Sequence, residues 1–174
     1  GLIGPESPFE VVEKEVRGIS IRTFAQAPPS LREVWLASAA FADRDYLVYQ
    51  DERRTYADSH REVAALANWI RQQGIEPGDR VAIAMRNYPE WMVVFLAIIS
   101  TGAVAVPLNS WGAGAELRQS IEEAQCTLLF CDQERLTIID QDESELATIV
   151  VRYDGPLPHN CQTYDQVITN GLAK

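Results

Sequence analysis

The chain has 174 residues, 47% of them hydrophobic, with a formal charge of −10 and an isoelectric point of about 4.6. That length makes one domain or a little more, with apolar material enough for a core. The acidic balance, with no Lys/Arg cluster to displace counterions, argues against nucleic acid and against an anionic lipid surface as partner.

Three cysteines, Cys126, Cys131 and Cys161, argue against a disulfide scaffold and for a reducing, cytoplasmic setting. The chain starts at Gly1 with no basic-then-apolar leader, so no signal peptide is expected.

In chain order, residues 1–29 show no clean period, include Pro28-Pro29 and read as an irregular lead-in. Ser30 with Glu33 makes a capping-box pair, and Leu31, Val34, Trp35 and Ala39 recur at helical spacing, predicting a helix to about Ala42. Tyr46–Gln50 and Arg53–Tyr56 read as a hairpin around Asp51-Glu52, although the turn lacks the favoured Asn-Gly chemistry. Thr55 with Asp58 is a second capping box. Val63, Leu66, Ala67 and Ile70 then share one helix face, and Gly74 stands at the C′ position.

Pro77-Gly78-Asp79 is a turn, and Arg80–Met85 a buried strand. Asn87 and Glu90 bracket Pro89 in the first turn of a helix over 88–101, apolar on nearly every face. Ala103–Leu108 is the next strand. Residues 91–108 carry no charge over 18 positions, the lower limit for a membrane span. However, Ser100-Thr101-Gly102 stops a helix and Pro107 sits near the far end, so helix, turn and strand fit better.

Glu116–Ala124 predicts a short helix, Thr127–Cys131 a strand, and Thr148–Val151 one more. From Arg152 onward periodicity gives way to Pro, Gly, Asn and His, so 152–174 read as an irregular tail whose partner lies outside this chain. Strands alternating with helices over 30–151 predict an α/β fold: layered, with a largely parallel sheet and flanking helices. Ligands bind such sheets beyond the carboxyl ends of the strands, here Arg86-Asn87 and Asn109-Ser110-Trp111.

Gly112 and Gly114, with Asp132 20 residues after Gly112, partly match a dinucleotide fingerprint. The third glycine position holds Leu117, and three residues separate strand from first glycine, so loop shaping is favoured. Asp140, Asp142 and Ser144 open like a calcium loop, but Glu145 stands where Gly is required and Val151 where the bidentate Glu belongs. Cys126 and Cys131, five apart on one strand, are expected on opposite faces and read as small core residues, not metal ligands. His60 and His159 lack a neighbouring nucleophile in the pattern. Trp35, Trp69 and Trp91 fall on helices and read as core; Trp111 alone sits in a strand-end loop.

Three stretches together resemble the amino-terminal portion of AMP-forming acyl-CoA synthetases, of the adenylate-forming superfamily. Arg54-Thr55-Tyr56-Ala57-Asp58 resembles that family's first core motif. Residues Gly74 to Ile83, GIEPGDRVAI, resemble its helix–turn–strand passage. Residues Thr101 to Asn109, TGAVAVPLN, resemble its second core motif. The stretches Asn87-Tyr88-Pro89-Glu90-Trp91 and Asn109-Ser110-Trp111 lean toward the acyl-CoA synthetases rather than the peptide-synthetase branch.

The resemblance implies a parent acid:CoA ligase that converts a carboxylic acid, fatty in the first instance, with Mg-ATP to an acyl-adenylate and transfers the acyl group to CoA. The family's Ser/Thr/Gly-rich phosphate loop, ribose-binding Asp, hinge and catalytic Lys match nothing here, so no catalytic, cofactor-binding or metal residue is assigned. The 174 residues are expected to be an inactive amino-terminal part, binding no cofactor alone. Asn87, Asn109, Ser110 and Trp111 are the expected edge of the substrate cleft. Expected partners are the rest of its own polypeptide and the acid, ATP and CoA, with a homo-oligomer open. A non-catalytic interaction module that kept the fold and an independent nucleotide-binding domain are the competing readings.

Overall fold

A computed structural model describes residues 2–139 and 146–172. The chain falls into two units, the first running to Ala37 and the second starting at Ser38.

The first unit departs from the irregular lead-in expected for residues 1–29. It holds an antiparallel hairpin of β1 (Val11–Val16) and β2 (Ile19–Phe24). Arg17 and Gly18 turn it with φ of 52° and 79°, the positive pair a two-residue hairpin turn requires. Glu13, Lys14 and Glu15 break the apolar alternation, which is why no strand period was visible. Helix α1 (Leu31–Ala37) follows, with the Glu33 amide donating to Ser30 Oγ as the capping pair predicts. Its buried residue is Trp35.

The second unit opens with a 3₁₀ turn at Ser38–Phe41 and the hairpin β3 (Asp45–Tyr49) and β4 (Glu52–Thr55). Next comes α2 (Tyr56–Gln72), whose Thr55–Asp58 capping box forms as read from sequence. The remaining elements are β5 (Arg80–Ala84), α3 (Pro89–Thr101), β6 (Val104–Pro107), α4 (Gly114–Glu123), β7 (Cys126–Asp132), α5 (Gln133–Ile139) and β8 (Thr148–Val151). They end with β9 (Cys161–Thr163) and α6 (Tyr164–Leu172).

The last five strands form one parallel sheet in the order β6-β5-β7-β8-β9. The layered α/β fold is therefore as expected. Parallel neighbours need a crossover, and helices on both faces supply most of them. On one face Ala82, Ala84, Leu129, Cys131 and Val150 pack with Leu117 and Ile121 of α4 and Leu136 and Ile139 of α5. The alternate residues Val81, Ile83, Leu128, Phe130 and Ile149 turn to the other face. There α3 and α6 meet the strands, and α2 packs against both helices.

The expected irregular tail is also corrected, because β9 and α6 complete this sheet. Thr163 and Gln166 exchange hydrogen bonds at the start of α6, a Thr-x-x-Gln capping box. The candidate hydrophobic span 91–108 resolves into α3, a turn at Gly102 (φ 87°) and β6. Among the described residues no helix is long and apolar enough to cross a membrane. Tyr88, not Asn87, is the N-cap of α3, and no side chain caps it.

The opposite-face expectation for Cys126 and Cys131 fails. Arg80 pairs with Cys126 and Val81 with Leu128, so Thr127 is an extra residue in β7 and the alternation is reset. Cys126 then packs against the same cluster as Cys131. Five strand residues, roughly 16 Å, still separate the two thiols.

Helix α6 approaches α2 so closely that a Cβ on Gly171 would stand 2.1 Å from the Ala65 carbonyl oxygen. Gly171→Ala is expected to cost about 1–3 kcal/mol, the penalty of overpacking against backbone. A thermal melt followed by circular dichroism should show a Tm several degrees lower.

Candidate functional site

The strand order puts a topological switch between β5 and β7. The chain leaves β5 through α3 to β6 on one side, then returns through α4 to β7 on the other. Connections on opposite faces leave a crevice beyond the carboxyl ends of β5 and β7. Arg86 follows β5, Asp132 ends β7, and the loop Asn109–Gly112 follows β6.

Asp132 is buried, and its carboxylate is fully engaged. It accepts from the Arg86 amide at 2.9 Å and the Arg135 amide at 2.9 Å. It also accepts from Arg135 Nη1 at 3.1 Å on both oxygens. The residue thus caps α5 and stitches the end of β5 to it, which leaves no free oxygen edge for a ribose. Gly114 is equally committed, since a Cβ there would stand 1.8 Å from the Ile138 carbonyl oxygen. Arg118 donates across the same junction to the Ile139 carbonyl at 2.9 Å. Of the three residues that suggest a dinucleotide site, Gly114 serves packing and Asp132 capping. The calcium-loop candidates Asp140, Asp142, Ser144 and Glu145 lie outside the described residues.

Arg86 is the residue that sequence reading left out of the site. Its guanidinium lies 3.2 Å from the centroid of the Trp111 ring, a cation–π stack. Its Nη2 is 3.9 Å from Glu134, and its buried Nη1 has no protein partner among the described residues. Trp111 is 80% exposed, so it packs no core. Its amide donates to Asn109 Oδ1 at 3.1 Å, an Asx turn that sets the loop. Asn109, Ser110 and Trp111 therefore share one loop beside Arg86. Asn87 follows Arg86 but lines a different hollow of about 370 Å³ with Tyr49, Tyr88 and Trp91. An Arg directly after a buried strand, paired with a loop Trp, was the available signal.

A second polar network joins the hairpin, α2, α3 and the end of β8. Arg54 donates to Glu62 at 2.7 Å and to Glu90 at 2.6 Å. Arg152, just past β8, donates to Glu52 at 2.9 and 2.8 Å and to Glu90 at 3.0 and 3.2 Å. It holds a left-handed φ of 51° while doing so. Tyr164 donates to Glu62 at 3.2 Å, and burial pushes the pKa of both groups up. The expectation that His60 has no Ser nearby is corrected: Ser38 Oγ lies 3.0 Å from His60 Nε2. Burial lowers the His60 pKa and favours its neutral form, so the pair is a tie between the 3₁₀ turn and α2.

Over residues 34–170 the sequence matches the family described as AMP-binding enzyme. The chain belongs to this family. It is 32% identical over 102 residues to the 2-succinylbenzoate–CoA ligase of Bacillus cereus, a match covering 58% of this chain and 21% of that enzyme. It is 34% identical over 103 residues to the medium-chain fatty-acid–CoA ligase of Escherichia coli, covering 58% of this chain and 18% of the ligase. The anthranilate CoA ligase AuaEII, solved with anthranoyl-AMP, superposes with a TM-score of 0.73 at 20% identity, over 79% of this chain and 27% of that one. The chain thus spans about a fifth of the length of the curated relatives it matches. The core motifs at 54–58, 74–83 and 101–109 pointed to the adenylate-forming CoA ligases, and these relatives are CoA ligases.

Removing the Asp132 charge would leave Arg135, whose side chain is 2% exposed, with the exposed Glu134 carboxylate at 2.8 Å as its counter-ion. Asp132→Asn is expected to cost about 1–3 kcal/mol in urea unfolding, the penalty of weakening the partners of a buried charge that Glu134 compensates only from the surface. Arg135→Leu in the same chain should recover part of that loss.

Proposed function

We propose that this chain is the amino-terminal scaffold of an acid:CoA ligase that forms an acyl-adenylate from a carboxylic acid and ATP and passes the acyl group to CoA. The observation that carries the reading is the Arg86–Trp111 stack at the switch point of a sheet matched to the AMP-binding enzyme family. Relatives are named for 2-succinylbenzoate and for medium-chain fatty acids, so the proposed class is a carboxylic acid with an apolar body, fatty acids first.

In this reading Asn109, Ser110 and Trp111 line one edge of the cleft, with Arg86 holding the indole in place, while Asn87 faces the separate hollow beside Tyr49. Adenylation builds charge on the α-phosphate, which Mg²⁺ and a cradle of amide donors stabilise in the complete enzyme. The sequence holds no phosphate loop to make that cradle, so the chain alone is proposed to be inactive. The remaining polypeptide supplies it, in the cytoplasm.

The test compares ATP- and CoA-dependent thioester formation by this chain and by the full enzyme encoded in its reading frame, with fatty and aryl acids. The chain should be silent and the full enzyme active. Trp111→Ala in the full enzyme should raise KM for CoA or acid about fivefold with little change in kcat, the loss of an aromatic contact made equally in ground and transition states. Turnover by the chain alone refutes the scaffold reading, and a silent full-length protein favours the non-catalytic module.

A further inference from the structure

The hollow that takes Asn87 away from the Trp111 loop has its own chemistry. It lies within the second unit, between β3 and the start of α3, with a volume of about 370 Å³. That falls in the range of small-molecule sites. Leu47 and Met92 supply apolar surface, while Tyr49, Tyr88 and Trp91 supply ring walls.

Those walls are held in place. Tyr49 meets Tyr88 edge-to-face at 5.7 Å and 81°, and Trp91 stacks on Phe95 at 5.5 Å and 14°. The Arg152 guanidinium sits 5.1 Å from the Tyr49 ring centroid and 4.9 Å from that of Tyr88. Four hydrogen bonds to Glu52 and Glu90 fix Arg152 itself. Rings locked this way lose little entropy when a ligand arrives.

The lining decides the ligand class. Every side chain in it is uncharged. The cation behind the tyrosine rings, Arg152, is already neutralised by two carboxylates. A carboxylate ligand would therefore lose its hydration with no cation to replace it. An ammonium ligand would meet tyrosine rings that already face a guanidinium. Asn87 carries the one amide of the lining, and among the described residues it has no protein hydrogen bond; it offers one acceptor and two donors at the rim.

We propose that this hollow is a separate binding site for a neutral, planar aromatic molecule bearing an amide-like donor–acceptor edge, seated between the tyrosine and tryptophan rings and hydrogen-bonded to Asn87. It goes beyond the ligase reading, because its chemistry refuses the carboxylate that the ligase activates. The site stands or falls without that reading.

The test is an amide-shift NMR titration of this chain with benzamide, benzoate and benzylamine, three molecules of one shape and three charges. Benzamide should give saturable shifts confined to residues 47–49 and 87–92, with Kd on the order of millimolar for so small a ligand. Benzoate and benzylamine should bind at least fivefold more weakly. Asn87 is exposed, so Asn87→Leu leaves the fold intact and should weaken benzamide about fivefold, the usual worth of one hydrogen bond. Met92→Trp, which fills the hollow, should remove the shifts. Equal binding of all three probes, shifts centred elsewhere, or indifference of benzamide to Asn87→Leu would each overturn the proposal.

Discussion

Strands β5 and β7 are dry on both faces, and much of the molecule follows from that. Val81–Ala84 and Leu128–Cys131 are at most 1% exposed. A strand buried on two sides must be apolar at every position, and helices must cover both surfaces. Helical crossovers between neighbours in turn keep the strands parallel. All the carboxyl ends then meet at one edge, the place where a chain otherwise packed in hydrocarbon presents polar groups. Each such buried aliphatic side chain contributes about 1.5–3 kcal/mol, so the sheet core outweighs any ion pair around it.

At that edge the charges are matched within the protein. Asp132 serves Arg135 and the Arg86 amide, and Glu90 serves both Arg54 and Arg152. Buried pairs of this kind roughly repay their own desolvation, so their contribution lies in orientation more than in stability. They set where Arg86 stands under the indole and how the β3–β4 hairpin meets α3. The edge is a braced frame that carries the Asn109–Gly112 loop, in a chain of the AMP-binding enzyme family that spans about a fifth of its relatives' length.

Most of the fold was legible in the sequence wherever one period ran uninterrupted. The Thr55–Asp58 box, the apolar stripe of α2, the stop at Gly102 and the apolar run Val81–Ala84 of β5 each have a single reading, and the structure follows it. The ends of the chain were harder. Charged residues hide the β1–β2 hairpin, and β9 has only three residues. The Thr163–Gln166 box was present but fell within a stretch of Pro, Gly and Asn that drew attention to loops. At the site, Asn109 and Trp111 emerged from their position at a strand end. Arg86 stood at a strand end too, but its pairing with Trp111 was not legible, because that ring is 25 positions away and only the sheet brings it near. The apparent nucleotide acid Asp132 shows the reverse: spacing alone cannot reveal that an oxygen is already taken.

The bulge at Thr127 sits at the amino-terminal rim of the sheet, opposite the end that carries Arg86 and Trp111. Arg80 Nε closes over it with a 2.9 Å bond to the Ala124 carbonyl, and Gln125 turns with a φ of 52°. One surplus residue is absorbed there, and from Val81–Leu128 onward the pairing runs in step to Ala84–Cys131. The molecule thus takes up one surplus residue on one rim and keeps the other in register. The irregularity is thereby confined to the rim away from Arg86 and Trp111, and β5 and β7 reach their carboxyl ends in step.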